Sequence, residues 1–276
     1  MTAPTKPAAE PPGDDHRAIR QRLSQLQGPG ELRAALLALV RTPGSGRELQ
    51  AWREHSQGIG SAEAIFNDIG ALGAEARLPW FELLADRLKR HTAADRHGVV
   101  EAARKVMAAD GKVRPQDRLL WLALRHRLGE SGVPNVSGPS ENDLTQLGAD
   151  DAQAIASFTA YLARLVPEPS DEMGVGLLGQ RWYVGVINRC LSSDRRPPCN
   201  PPDADAMVRA LRHLQELPWM LRPLLARAWV EVAVLAGADV RLHYTASDAL
   251  RLSCRLLESP MPPALVGRYI ELDVLP

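Results

Sequence analysis

The chain has 276 residues, with 33 basic side chains against 33 acidic ones, 45% apolar and 24% charged residues. That composition can bury a real core and excludes wholesale disorder, a collagen-like repeat or a disulfide scaffold. Zero net charge argues against nucleic acid as a partner, which needs a basic field. Of the 33 bases 29 are Arg and 4 are Lys.

Residues 1–15 are Pro, Ala, Gly and acid with no apolar period, and read as a disordered tail. They lack the basic and apolar regions of a signal peptide. From His16 the texture is helical. Leu23, Leu26, Leu32, Leu36, Leu37 and Val40 suggest two short helices broken at Gly28-Pro29-Gly30, and Pro43-Gly44 stops the second. Leu49 and Trp52 belong to a third helix, and Ser61 is placed to cap a fourth. Pro79 is expected to open the next helix, since proline is tolerated in a first turn. Thr92 is placed to cap a helix with its apolar stripe at Val99, Val100, Ala103, Val106 and Met107. Asp110-Gly111 ends it, and a Leu-rich helix runs from Gln116 to Leu128.

Residues 130–149 are rich in Gly, Ser, Pro and Asn and read as a flexible linker. Asp150 and Asp151 suit a helix start, and Ile155, Phe158, Tyr161, Leu162 and Leu165 form the buried face that follows. The stretch 173–192 has strand-like composition but helical neighbours, and helix is the preferred reading. Three more helices are expected near 203–216, 218–236 and 245–258, with a short closing piece after Pro260-Met-Pro-Pro263. The expected fold class is all-α, with an N-terminal helical region at 16–129 and a C-terminal one at 150–276. No apolar run is long enough to span a bilayer. Three cysteines without a CxxC (Cys190, Cys199, Cys254) point to a reducing, cytoplasmic compartment.

An internal repeat organises the two regions. Leu78-Pro79-Trp80 opens a segment in the first and Leu217-Pro218-Trp219 one in the second, each leading to an acidic break, Ala109-Asp110-Gly111-Lys112-Val113 and Ala238-Asp239-Val240-Arg241-Leu242. Asp117 follows seven residues after the first Asp; the second copy has Ala246 there and is degenerate.

The first copy, with Asp110, Gly111, Val113 and Asp117, resembles the TerB-like (tellurite-resistance protein B-like) helical module. The wider arrangement is similar to the accessory cytoplasmic C-terminal region of certain bacterial membrane-bound zinc metallopeptidases. Leu78-Pro79, Glu82-Leu83, the Asp110 turn and Ser259-Pro-Met-Pro-Pro263 carry that likeness, over roughly residues 30–130 and 205–265. The zinc chemistry of those enzymes needs an HExxH, which does not occur here, so catalysis does not transfer.

Asp110 and Asp117 could hold a divalent cation through oxygen ligands, the one cofactor the sequence offers. Their more ordinary use is a Gly111 helix cap and a carboxylate in the next helix's first turn. Arg87, Arg90, Arg104 and Arg125, with Trp121, mark a basic and aromatic face suited to a protein partner, or else a solvated helix face. Trp80, Trp182, Trp219 and Trp229 read as core, and the matching places of Trp80 and Trp219 suggest a shared packing role. His91, His97 and His126 lack the one-turn spacing of metal ligands, and no base adjoins the cysteines.

The expected function is therefore a non-enzymatic intracellular interaction or regulatory module with a protein partner. One alternative is an accessory part bound to a separate, membrane-associated metallopeptidase subunit, and another is a divalent-cation sensor at Asp110. Charge is segregated: residues 74–130 carry 12 bases and 8 acids, and 131–172 carry 1 and 7. That asymmetry suggests that the acidic segment pairs with the basic module or covers its surface.

Overall fold

The computed structural model describes residues 14–129, 143–169, 174–236 and 242–272. Among these residues the chain forms thirteen α-helices and no strand. The first region holds α1 (Asp14–Ser24), α2 (Pro29–Val40), α3 (Gly46–His55), α4 (Ala62–Gly70), α5 (Ala74–Leu88), α6 (Ala93–Ala108) and α7 (Pro115–Arg127). The second holds α8 (Ala149–Leu162), α9 (Leu177–Cys190), α10 (Ala204–Glu216), α11 (Leu221–Ala236), α12 (Tyr244–Leu256) and α13 (Pro263–Val266).

In the first region α2 is the central rod. Leu32 and Ala34 through Val40 are all buried, so the helix is apolar around most of its circumference. It is surrounded by α3, α4, α5 and α6. Trp52 of α3 drives its indole into this core and donates from Nε1 to the Ala34 carbonyl at 2.9 Å, which satisfies the one polar atom the ring buries. In the second region α8 packs on α10 and α9 on α11. Trp182 donates to the Trp229 carbonyl and Trp229 to Thr159 Oγ1, both at 3.0 Å. Three helices are thereby tied through two buried indoles.

Short polar devices set the helix limits. Thr92 and Asp203 accept from the backbone N–H three residues on, at 3.2 and 2.8 Å. Ser61 stands at its expected cap position but donates instead to Glu31, at 3.0 Å. Gly111 takes φ +80°, the left-handed turn that lets the chain leave α6. The preponderance of Arg over Lys has a use here. A guanidinium offers five donors in a planar fork, enough to satisfy several orphan carbonyls at once. Arg77 donates to the Ile69 and Leu39 carbonyls at 3.2 and 3.3 Å, closing the ends of α4 and α2. Arg222 serves the carbonyls of Gln215 and Leu217 at the C-terminal end of α10.

Two sequence expectations change. The helix around Pro79 begins five residues earlier, at Ala74, so Pro79 lies inside α5. Trp80 is buried at 2% exposure, whereas Trp219 is 72% exposed just before α11, so the repeated tripeptides do not share a packing role. The expected linker is described from 143 onward. There Leu144 and Leu147 are buried around a 3-10 turn at Leu144–Gln146, and the Arg195 guanidinium donates to the Leu147 carbonyl. The tail at 1–13, residues 130–142 and most of the second acidic break lie outside the described residues.

One hydrophobic core runs through both regions. It is continuous because α12 lies on α7 and α5, and Tyr161 of α8 donates to the Pro115 carbonyl at the head of α7 at 2.8 Å.

Helix contacts in this core are set at backbone distance. A Cβ built on Gly179 of α9 would stand 2.0 Å from the Ala163 carbonyl oxygen after α8. We expect Gly179→Ala to cost about 2–3 kcal/mol. Gly98→Ala, in the interior of α6 with open space around it, should add about 0.5–1 kcal/mol. Urea denaturation of the two variants checks both signs.

Candidate functional site

The Asp110 turn is built around an arginine. The Arg114 guanidinium donates to Asp110 Oδ2 at 2.7 Å, to Glu48 Oε1 at 3.2 Å and to Thr42 Oγ1 at 2.9 Å, and lies 3.6 Å from Asp117 Oδ2. Asp117 also accepts from the Arg114 N–H at 2.8 Å, closing the N-terminus of α7. Three carboxylates thus face one fixed cation that the chain itself supplies. Among the described residues no group of three or more His, Cys, Asp or Glu is arranged to hold a metal ion. The two aspartates are tuned apart. The Lys112 N–H, and then Arg114, hold the Asp110 carboxyl below its usual range. Burial pushes Asp117 up to about 6, against the pull of Arg114 and with the help of Glu48 and Asp110. Glu48, buried and remote in sequence, is the member that sequence patterning missed.

The expected basic face is only partly assembled. Arg87 turns inward and donates to the Leu23 and Leu26 carbonyls at 3.3 and 3.2 Å, closing the end of α1. Arg90 is exposed. Arg104 is exposed and pairs with Glu101 at 3.1 Å. Arg125 stacks on Trp121 at 4.7 Å, and the half-buried Trp121 donates to the Val100 carbonyl at 3.3 Å. Asp151, expected to oppose this face, pairs with His213 of α10 at 2.6 Å instead.

The strongest concentration of charge lies elsewhere, where α12 crosses α5. Glu82 of α5 is 5% exposed and takes both α12 arginines. Arg251 donates from Nε and Nη2 at 3.1 and 2.8 Å, and Arg255 from the same two atoms at 3.3 and 3.3 Å. Burial would raise the Glu82 carboxyl. The Arg251 hydrogen bond and the charges of Arg251, Arg255 and Arg127 outweigh it and hold the group below its usual range. Arg251 is sandwiched in turn by the Tyr269 ring at 4.4 Å. The Tyr269 hydroxyl donates to Asp248 Oδ1 at 2.8 Å. Asp248 is pushed the other way, up to about 7, chiefly by burial.

Beside this cluster a groove of about 480 Å³ opens between α5, α12 and the segment 261–272. Its lining sets the half-buried or exposed apolar side chains of Leu83, Met261, Val266, Ile270 and Leu272 beside the buried Glu82 and Arg251. Its rim carries Arg255, Glu271 and the pair Asp86–Arg127, in which Arg127 donates twice, at 2.7 and 2.8 Å. Pro79 explains how the C-terminal wall is fastened. A proline inside a helix has no N–H for the carbonyl four residues back. That carbonyl, of Glu75, accepts instead from the Ile270 N–H at 3.3 Å. The helix defect is thus an attachment point for the strap that walls the groove.

None of the three cysteines is poised as a nucleophile. Burial pushes the Cys190 and Cys254 thiols up to about 12 and Cys199 to about 11, far from the thiolate a nucleophile needs. His243 caps α12, accepting from the Thr245 N–H at 3.2 Å.

Comparison of the chain with protein families, with characterised proteins and with solved structures finds no match.

Two outcomes follow. In Pro79→Ala the new N–H competes for the Glu75 carbonyl. Hydrogen exchange at Ile270 should then accelerate while α5 stays protected; unchanged exchange at Ile270 would show that the strap is held by other contacts. The second concerns pH. Asp248 and Asp117 have raised carboxyls, so their stabilising contributions are complete below about pH 4 and are lost as pH rises through about 7 and about 6. The wild-type melting temperature should therefore rise as pH falls from 8 to 6. Asp248→Asn keeps an acceptor for Tyr269 and should flatten that slope, as followed by calorimetry.

Proposed function

We propose that this chain is a non-enzymatic helical interaction module, TerB-like in its first region, that binds a segment of a protein partner in the groove between α5, α12 and the 261–272 strap. One observation carries the reading: a groove lined by apolar side chains and mutually paired charges sits where the two halves of the chain meet. A volume of about 480 Å³ suits a few side chains of an extended or helical segment. The carboxylates and guanidiniums there are engaged with one another, an arrangement that shapes and orients a surface. Paired charges give specificity to such a site, and the apolar side chains beside them give affinity. The helical frame is suited to this role because both groove walls are anchored, α12 by Glu82 and the strap by the Glu75 carbonyl. Among the described residues no helix is long and apolar enough to cross a membrane.

A photo-crosslinking amino acid placed at Met261, and separately at Arg104 on the α6–α7 face, tests the proposal in the native host. A discrete protein adduct is expected from position 261 and not from 104. Adding Val266→Arg, which puts a charge among the apolar side chains lining the groove, should abolish it. An adduct from 104 alone would move the binding surface to the basic face and overturn the proposal.

A further inference from the structure

The groove's charge arithmetic points to its occupant, and the argument rests on the groove being the binding surface. Glu82 is one carboxylate shared by two guanidiniums. Arg251 is 9% exposed and closed in by its two bonds to Glu82 and by the Tyr269 ring. Arg255 is 41% exposed, lines the cavity and holds Glu82 by the longer pair of bonds. Arg127 is matched bond for bond by Asp86. All three guanidiniums spend two N–H groups on a carboxylate, and Arg255 is the most exposed of them and the one held by the longest bonds, so its remaining donors are the ones open to the groove.

We infer that the segment bound in the groove carries an Asp or Glu whose carboxylate docks on Arg255, next to one or more apolar side chains that pack on Leu83, Met261 and Leu272. An arginine fork with open donors selects a planar carboxylate, with which it makes charge-assisted hydrogen bonds. Glu271 faces the same cavity from the strap and is exposed. Its negative charge, with those of Glu82 and Asp86, disfavours a doubly charged phosphate and admits a single carboxylate. Glu271 thus sets selectivity and weakens the acidic ligand somewhat.

A library of random 12-residue peptides displayed on phage, selected on the full chain, supplies the probe. Selected peptides are expected to carry an acid within three residues of Leu, Ile, Met or Phe. In fluorescence anisotropy, changing that acid to its amide should weaken binding to wild type by about tenfold or more, the range of a charge-assisted hydrogen bond. Arg255→Gln should bind acid and amide peptides alike, while Glu271→Gln should tighten the acid form. Peptides that Val266→Arg displaces but that show no acid preference, or whose acid-to-amide loss is the same on Arg255→Gln, overturn this inference and leave the groove standing. Peptides untouched by Val266→Arg, or no selected binder at all, overturn both.

Discussion

The Glu82 carboxylate, clamped between Arg251 and Arg255, is the contact on which the arrangement of the two halves depends. Its partners lie 169 and 173 residues away in the chain. A carboxylate at this depth is tolerated only when paired and hydrogen-bonded, and removing one member of a buried pair costs about 3–5 kcal/mol. α12 is therefore held at one position and one rotation across α5. Arg251, once fixed, offers its face to Tyr269, and Tyr269 in turn reaches Asp248. The strap that walls the groove is held at Tyr269 through this clamp and at Ile270 by the Glu75 carbonyl.

The cluster also concentrates opposed electrostatics within a small space. Glu82 is held ionised by three arginines, while Asp248, facing Tyr269, Arg251, Arg77 and Glu82, is raised by burial. The two carboxyls favour opposite ends of the pH scale. Glu82 loses its contribution as pH falls through its depressed value, and Asp248 loses its own as pH rises through about 7. A groove beside such a pair presents a fixed charge pattern between those limits.

The helices were legible because each is written locally. Thr92, Gly111 and the apolar stripe at Val99, Val100, Ala103 and Val106 announce α6 and its limits, and the structure places them there. Pro79 was misread for a physical reason. Proline usually marks a first turn, and only the distant Ile270 N–H makes it useful inside a helix. The repeated Leu-Pro-Trp likewise implied equal environments, but burial is decided by neighbours, and Trp219 has few. At the Asp110 turn the aspartates were visible, whereas Glu48, which brings a third carboxylate to Arg114, was not. The Glu82 clamp left no local trace beyond ordinary helical charges.

The preference for arginine in this chain was visible in its composition, and the structure explains it. Arg77, Arg87 and Arg222 each spend a guanidinium on carbonyls at helix ends, and Arg114, Arg251 and Arg255 each on carboxylates. Both uses exploit a planar fork that lysine lacks. The clamp is the most consequential of them, and a double-mutant cycle joining Glu82→Leu and Arg251→Met in urea denaturation tests it most directly. The account predicts that the double variant loses less stability than the two single variants together, by about 1.5 kcal/mol or more. Losses that simply add would show that Glu82 and Arg251 do not hold the two halves together.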